Sequence, residues 1–272
     1  MTLRLTKDTR LCMSLSGRPS NFGTRFHNFL YEALELDFVY KAFTTRDLLG
    51  AVGGIRALGI RGCAVSMPFK ETCIPLLDEL DASADAIQSV NTIVNTDGLL
   101  KAYNTDYLAI RKLLETRGVS NETPFALQGS GGMAKAVACA LRDAGFSAGR
   151  IIARNSAKGR ALADTAGLTW SAELGSHRPL LLINVTPIGM SGGLEAEQLA
   201  FSEAAITRAE IVFDVVALPS ETPLIRVARA QGKHVITGAE VIALQAVEQF
   251  VLYTGVRPSA EQITRAAAFA AT

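Results

Sequence analysis

Phe125-Ala-Leu-Gln-Gly129-Ser-Gly131-Gly132-Met-Ala-Lys-Ala136 is the stretch that decides the fold. A short apolar run ends in a glycine turn and opens a helix of small residues. Glycines let the backbone approach a pyrophosphate closely, and the helix start offers that anion free N–H groups and the positive end of its dipole. The next strand-like run, Ile151-Ile-Ala-Arg154-Asn155, ends where a nucleotide-binding βαβ unit distinguishes one ribose from another. An acidic residue there would hold a free 2′-hydroxyl. Arg154, with Lys158 one helical turn later, favours a 2′-phosphate, and so NADP over NAD. The competing explanation is an ordinary tight turn with two surface cations; the order and spacing of strand, glycines and basic pair argue against it.

The same pattern extends on both sides. Strands are predicted near 124–128, 149–153, 168–170, 180–184, 211–215 and 233–236, with helices between most of them. Continuous apolar runs such as Leu180-Leu-Leu-Ile183 and Ile211-Val-Phe213 belong to parallel sheets buried on both faces. A helix over 106–117 leads in, and Thr222-Pro223 starts another, with Thr as N-cap and Pro in the first turn. From Gly238 onward the chain reads as helix, with an apolar stripe through Val241, Leu244, Val247 and Phe250 and a break at Pro258.

Residues 1–104 alternate helix-like and strand-like segments. Asn28 to Leu36 has helical spacing, Phe38-Val-Tyr-Lys-Ala-Phe reads as strand, Leu48–Leu58 as helix, and Cys63-Ala-Val-Ser-Met as a buried strand stopped by Pro68. Val90–Val94 and Leu99–Tyr103 flank Asn95-Thr-Asp-Gly98, a hairpin whose turn residues tolerate positive φ. The expected fold is α/β with two domains: 1–105 with 239–272 as an α/β substrate domain, and 106–238 as an NADP-binding Rossmann domain. The C-terminal helices return to the first domain, leaving a cleft between the two.

Composition sets limits. The chain has 272 residues, 27 basic against 26 acidic, a formal charge of +1 and 49% hydrophobic residues. That balance sets up no field for nucleic acid or an anionic membrane surface. Cys12, Cys63, Cys73 and Cys139 have no CxxC or metal-ligand spacing and read as buried small side chains in a reducing compartment. The polar start Met1-Thr-Leu-Arg-Leu-Thr-Lys-Asp is not that of a signal peptide, and no apolar run spans a bilayer. The expectation is a soluble cytoplasmic protein, monomer or homodimer, with a small-molecule substrate and no metal, nucleic acid or membrane partner.

Hydride transfer needs a proton donor and acceptor beside the reacting oxygen. Of the three histidines, His177 and His234 read as loop and strand-border residues, and His27 as a packing residue or a site wall. Lys70 lies at the mouth of a helix in Ser66-Met-Pro-Phe-Lys70-Glu, a place that suits a surface lysine or an acid. Asp106 follows a strand, where a helix N-cap is common. An ammonium oriented by a carboxylate makes a workable acid/base pair.

Seven separated motifs stand together: Ser66-Met-Pro-Phe-Lys70-Glu, Val90-Asn91-Thr92, Asn104-Thr-Asp106, Gly129–Gly132, Ala153-Arg154-Asn155, Asn184-Val-Thr-Pro-Ile-Gly189-Met, and Gly238 with Gln245. In order and spacing the chain resembles the shikimate dehydrogenases, in particular their divergent shikimate dehydrogenase-like branch. The resemblance implies reversible, NADP-dependent reduction of 3-dehydroshikimate, or a close cyclic hydroxy acid, to shikimate. It places Lys70 and Asp106 as the catalytic pair, and Ser66, Asn91 and Gln245 on the substrate. It places Gly129, Ser130, Gly131, Gly132 and Met133 on the pyrophosphate, and Arg154, Asn155 and Lys158 at the 2′-phosphate. Val215 and Gly238 then stand beside the nicotinamide.

Four positions depart from the family. The two serines that grip the substrate carboxylate align with Asn21 and Gly23, a substrate-contacting tyrosine with Ala217, and a glycine with Tyr107. Asn21 keeps a donor for the carboxylate. These changes leave quinate, aminoshikimate or another hydroxy acid as alternative substrates, and a non-catalytic NADPH-sensing module as an alternative role.

Overall fold

The computed structural model describes residues 5–271, so the first four residues of the polar N-terminal stretch and Thr272 lie outside it. The chain forms two compact units, one made of the residues up to Thr105 and those from Ala243 on, the other of Asp106–Ile242.

The first unit holds a six-stranded mixed sheet. Its elements run β1 (Arg10–Leu15), α1 (Phe22–Ala33), β2 (Phe38–Phe43), α2 (Leu48–Ala57), β3 (Gly62–Val65), α3 (Phe69–Thr72), β4 (Glu79–Leu80), α4 (Ala82–Asp85), β5 (Thr92–Thr96) and β6 (Leu99–Tyr103). The spatial order is β2-β1-β3-β5-β6-β4. β1 pairs in parallel with β2 and β3, whereas β3–β5 and β5–β6 are antiparallel. The β5–β6 hairpin turns through Asp97 and Gly98, both at positive φ, as the sequence predicts. The Asn95 Oδ1 accepts from the Gly98 N–H at 2.8 Å and closes the turn. β1 was not anticipated, because Arg10-Leu-Cys-Met-Ser-Leu has no clean alternation. It is nevertheless a central strand, with Cys12, Met13 and Leu15 buried.

The second unit is a six-stranded, wholly parallel sheet. It comprises α5 (Thr105–Thr116), which opens at the unit boundary, β7 (Phe125–Gln128), α6 (Gly132–Asp143), β8 (Gly149–Ile152), α7 (Ser156–Ala166), β9 (Thr169–Ser171), β10 (Leu181–Asn184), α8 (Glu203–Arg208), β11 (Ile211–Asp214), α9 (Pro223–Ala230) and β12 (His234–Thr237). The order β12-β11-β10-β7-β8-β9 is that of a doubly wound dinucleotide fold, with its switch point between β7 and β10. Each of the six strands falls within one residue of the stretch predicted for it. Phe125, Leu127, Leu181, Leu182 and Phe213 are fully buried, as strands covered on both faces must be. Thr222 caps α9 by accepting from Ile225 N–H, and Pro223 fills the first turn.

Two C-terminal helices close the chain, α10 (Gly238–Thr254) and α11 (Ala260–Ala271). α10 runs through the unit boundary, which falls at Ile242/Ala243 rather than at 238/239. Beyond that point both helices pack on the first unit. Val247, Phe250 and Tyr253 join Phe26, Leu30 and Tyr31 in one core. Gly62 is what permits this approach, since a Cβ there would collide with the Tyr253 ring. No helix among the described residues is long and apolar enough to cross a membrane.

A buried polar knot ties the ends of β10 and β11. Asp214, fully buried, accepts from Asn184 Nδ2 at 3.0 Å, Val216 N–H at 3.0 Å and Thr222 Oγ1 at 2.7 Å. Burial still raises its pKa above the ordinary carboxylate value, the three donors notwithstanding. Asp214→Ala strands those donors, so it should cost about 3 kcal/mol in urea unfolding, and Asp214→Asn about 1 kcal/mol. A loss below 1 kcal/mol in the alanine variant would show that the knot does not hold these loops.

Candidate active site

A cavity of about 840 Å³ opens at the C-terminal ends of β7, β8 and β10, where doubly wound sheets bind ligands. Gly129, Ser130 and Gly131 form one wall, and Arg154, Asn155 and Lys158 another. Gly129 has φ +134°, and a Cβ there would sit 2.7 Å from Val185 Cγ2, so only glycine fits. Gly131 and Gly132 face open space instead. No side chain caps α6: its N-cap is Gly131, in extended conformation and without a capping hydrogen bond. The first N–H groups of a 12-residue helix therefore end at bare backbone, a cradle whose space suits an anion. By contrast α7 is capped, with Asn155 Oδ1 accepting from Lys158 N–H at 3.0 Å. That cap sets Arg154 and Lys158 around the helix start. Arg154 meets Glu195 at 3.3 Å across the cavity. Gly132, Met133, Val215 and Gly238 are not among its lining residues. Gly238 has a packing reason of its own, because a Cβ would collide with the Val215–Val216 backbone.

The smaller cavity, about 210 Å³, lies in the first unit. Ser66, Lys70, Asn91 and Gln245 all line it, from the β3–α3 turn, α3, the residue before β5, and α10. Backbone bonds lace these segments together. Val65 N–H donates to Asn91 O at 2.8 Å and Val90 N–H to Lys70 O at 2.8 Å. Asn91 is 2% exposed, and its Oδ1 accepts three bonds, from Thr105 N–H (2.7 Å), Thr92 Oγ1 (2.9 Å) and Thr105 Oγ1 (3.1 Å). The Thr105 N–H can only donate, which fixes the amide's orientation. Asn91 Nδ2 is left buried without a partner. A buried donor left open on a cavity wall is a binding group for an oxygen acceptor. Gln249, which sequence reasoning missed, holds this corner by donating to Thr92 Oγ1 at 3.0 Å and to Asn91 O at 3.2 Å. It stands one helical turn after Gln245, and that spacing was the available signal. Asp106 is the next residue after Thr105, buried in the first turn of α5 rather than capping it.

A protein of Haemophilus influenzae named shikimate dehydrogenase-like protein is 59% identical over 268 residues, covering 98% of this chain and 99% of its own length. A shikimate dehydrogenase (NADP(+)) of Halothermothrix orenii is 35% identical over 250 residues, covering 85% and 86%. The chain belongs to the shikimate dehydrogenase family. The family model described as shikimate dehydrogenase substrate binding domain matches residues 21–93. The crystal structure of Thermus thermophilus shikimate 5-dehydrogenase in complex with NADP(H) and shikimate aligns with TM-score 0.85 and 29% identity, over 96% of this chain and 99% of that one.

Against the family pattern, the structure gives Tyr107, Asn21 and Gly23 definite surroundings and offers none that explains Ala217. Tyr107 donates to Asp143 Oδ2 at 2.8 Å and so ties α5 to α6. Asn21 is the N-cap of α1 and is not among the residues lining the smaller cavity, whereas Ser14, Ser16, Ser20 and Gly23 are. His27 also lines it, fully buried and stacked on Tyr40 with ring centroids 4.5 Å apart. Burial pushes its pKa down to about 3, so the imidazole stays neutral and carries no proton to a substrate at ordinary pH.

In the unfolded chain this ring protonates near 6.5. The stability it allows is complete above that value and falls away as pH drops toward about 3. Between pH 7 and 5 the loss from this one group is about 2 kcal/mol. His27→Phe should flatten the urea-derived stability profile by that amount. An unchanged slope would place the proton uptake elsewhere.

Proposed function

We propose that this chain is an NADP-dependent oxidoreductase that reversibly reduces 3-dehydroshikimate, or a close cyclic hydroxy acid, to shikimate. The observation that carries the reading is the smaller cavity, where Lys70, Ser66, Asn91 and Gln245 converge from four separate segments. The bare glycine cradle and the Arg154–Lys158 pair supply the fit for a phosphorylated dinucleotide. When bound, that coenzyme supplies or accepts the hydride at the ring carbon bearing the reacting oxygen.

The remaining chemistry falls to side chains of this chain. Lys70 Nζ gives a proton to that oxygen as it gains negative charge in reduction, and takes one from the hydroxyl in oxidation. Asp106 is assigned as the carboxylate that orients the ammonium. Asn91 donates its open Nδ2 hydrogens to a substrate oxygen, which restores a bond the buried amide otherwise lacks. Gln245 and Ser66 fix the ring from the other walls. In the coenzyme cavity the glycine loop and the start of α6 hold the pyrophosphate, and Arg154 and Lys158 hold the 2′-phosphate.

Lys70→Ala should keep NADPH binding, read by the coenzyme's fluorescence, and lose about a hundredfold or more in turnover of shikimate. Turnover at the parent's rate would remove Lys70 from the mechanism.

Glu195 adds a condition on the coenzyme. Its carboxylate pairs with Arg154, whose side chain is 79% exposed, so a 2′-phosphate must displace it. Exposed pairs of this kind are worth at most about 1 kcal/mol. Glu195→Gln should therefore tighten NADPH by about two- to fivefold and leave NADH unchanged. An equal effect on both coenzymes would separate Glu195 from the 2′-phosphate.

A further inference from the structure

We propose that Arg18 holds the carboxylate of the substrate, at an anion subsite built by the loop after β1. The assignment rests on reading the smaller cavity as the site of a cyclic hydroxy acid.

The positions where the family's two serines align are not equipped for the task. Asn21 is outside the cavity lining. Gly23 is on it without a side chain, and a Cβ there would already stand 3.3 Å from the Tyr40 hydroxyl. Tyr40 cannot readily give way, being 2% exposed and stacked on His27. Any side chain at position 23 would crowd that hydroxyl. Residue 23 therefore brings no hydroxyl to the cavity wall, and a charged donor for the carboxylate has to come from elsewhere on it.

Arg18 is that donor by charge and by position. The charged residues lining the cavity are Arg18 and Lys70; no acidic side chain lines it, and His27 is neutral. With Lys70 assigned to the reacting oxygen, Arg18 is the cation left for the acid group. Its loop is also fixed in place. Ser16 N–H donates to Phe43 O at 3.2 Å, Gly17 N–H to Met67 O at 3.0 Å, and Arg18 N–H to Ser16 Oγ at 3.1 Å. Ser66 N–H donates to Leu15 O at 3.0 Å, so the loop that carries Arg18 and the turn that leads to Lys70 are bound to each other. Among the described residues the Arg18 guanidinium has no ion-pair partner. A planar guanidinium matches a carboxylate with two parallel hydrogen bonds, which two separate hydroxyls provide only when both are present.

The test compares shikimate with methyl shikimate, identical but for the charge. Arg18 is exposed on its loop, so its replacement leaves the core intact. Arg18→Ala should raise KM for shikimate about tenfold or more, with kcat within about threefold of the parent and KM for the ester unchanged. Arg18→Lys should recover part of the loss as a point charge. Equal KM changes for acid and ester, or no change for either, would overturn the assignment. Calorimetric titration of both compounds into the NADPH-bound protein separates this from the proposed reaction. A parent that prefers the acid in binding but oxidises neither compound keeps Arg18 and overturns the reaction, provided Arg18→Ala abolishes the preference. A parent that oxidises shikimate but binds acid and ester alike keeps the reaction and overturns Arg18.

Discussion

One side-chain amide organises the smaller cavity. Asn91 sits directly before β5, and its oxygen takes the Thr105 N–H at 2.7 Å with two threonine hydroxyls beside it. Those bonds pin the start of the hairpin to the start of α5 and leave the amide only one orientation. The consequence is a buried Nδ2 with no partner, which stands against the rule that buried polar groups are satisfied. An open donor of this kind costs the free protein about 1–3 kcal/mol. A ligand oxygen that completes the bond recovers that amount, so structural strength and binding strength come from the same three atoms. Gln249 reinforces the arrangement from α10, and through it that helix becomes part of the cavity wall.

The larger cavity follows the same logic on backbone. Most helices near it start with a side-chain cap: Asn155 for α7, Ser202 for α8 and Thr222 for α9. Only at α6 is the cap a glycine without a side chain, with the space in front of Gly131 and Gly132 left open. Gly129 is required by its positive φ and by Val185, whereas Gly131 and Gly132 are required by no neighbour. Packing alone would allow side chains at both. Their bareness makes sense only for something that must approach the backbone closely.

Legibility in the sequence tracked locality. The six strands of the parallel sheet, the Asp97–Gly98 turn and the Thr222 cap were readable because apolar runs, turn residues and caps act within a few residues. Lys70, Asn91 and Gln245 were readable only through the order of motifs; nothing local brings them to one cavity. β1 escaped because its alternation is broken by Arg10 and Ser14, although its neighbours on both sides bury it. Counting from His27 assigned the family's serine positions to Asn21 and Gly23. Whether a residue after β1 faces the cavity is decided by the lacing of that loop to Phe43 and Met67, which no count along the chain reveals.

The charge balance shows why composition says so little about the ligands. A net charge of +1 over 272 residues looks indifferent to anions. Yet each cavity concentrates cations: Arg154, Lys158 and Arg208 line one, and Arg18 and Lys70 the other. The larger also carries Glu173 and Glu195, so its field is tempered, and Arg154 is paired with Glu195. The smaller has no acidic lining and a neutral histidine. An anion entering there meets attraction from both cations, while a neutral analogue relies on hydrogen bonds alone. A near-neutral protein can therefore still offer an anion a local excess of positive charge, because the field inside a cavity is set by the side chains that line it rather than by the net charge.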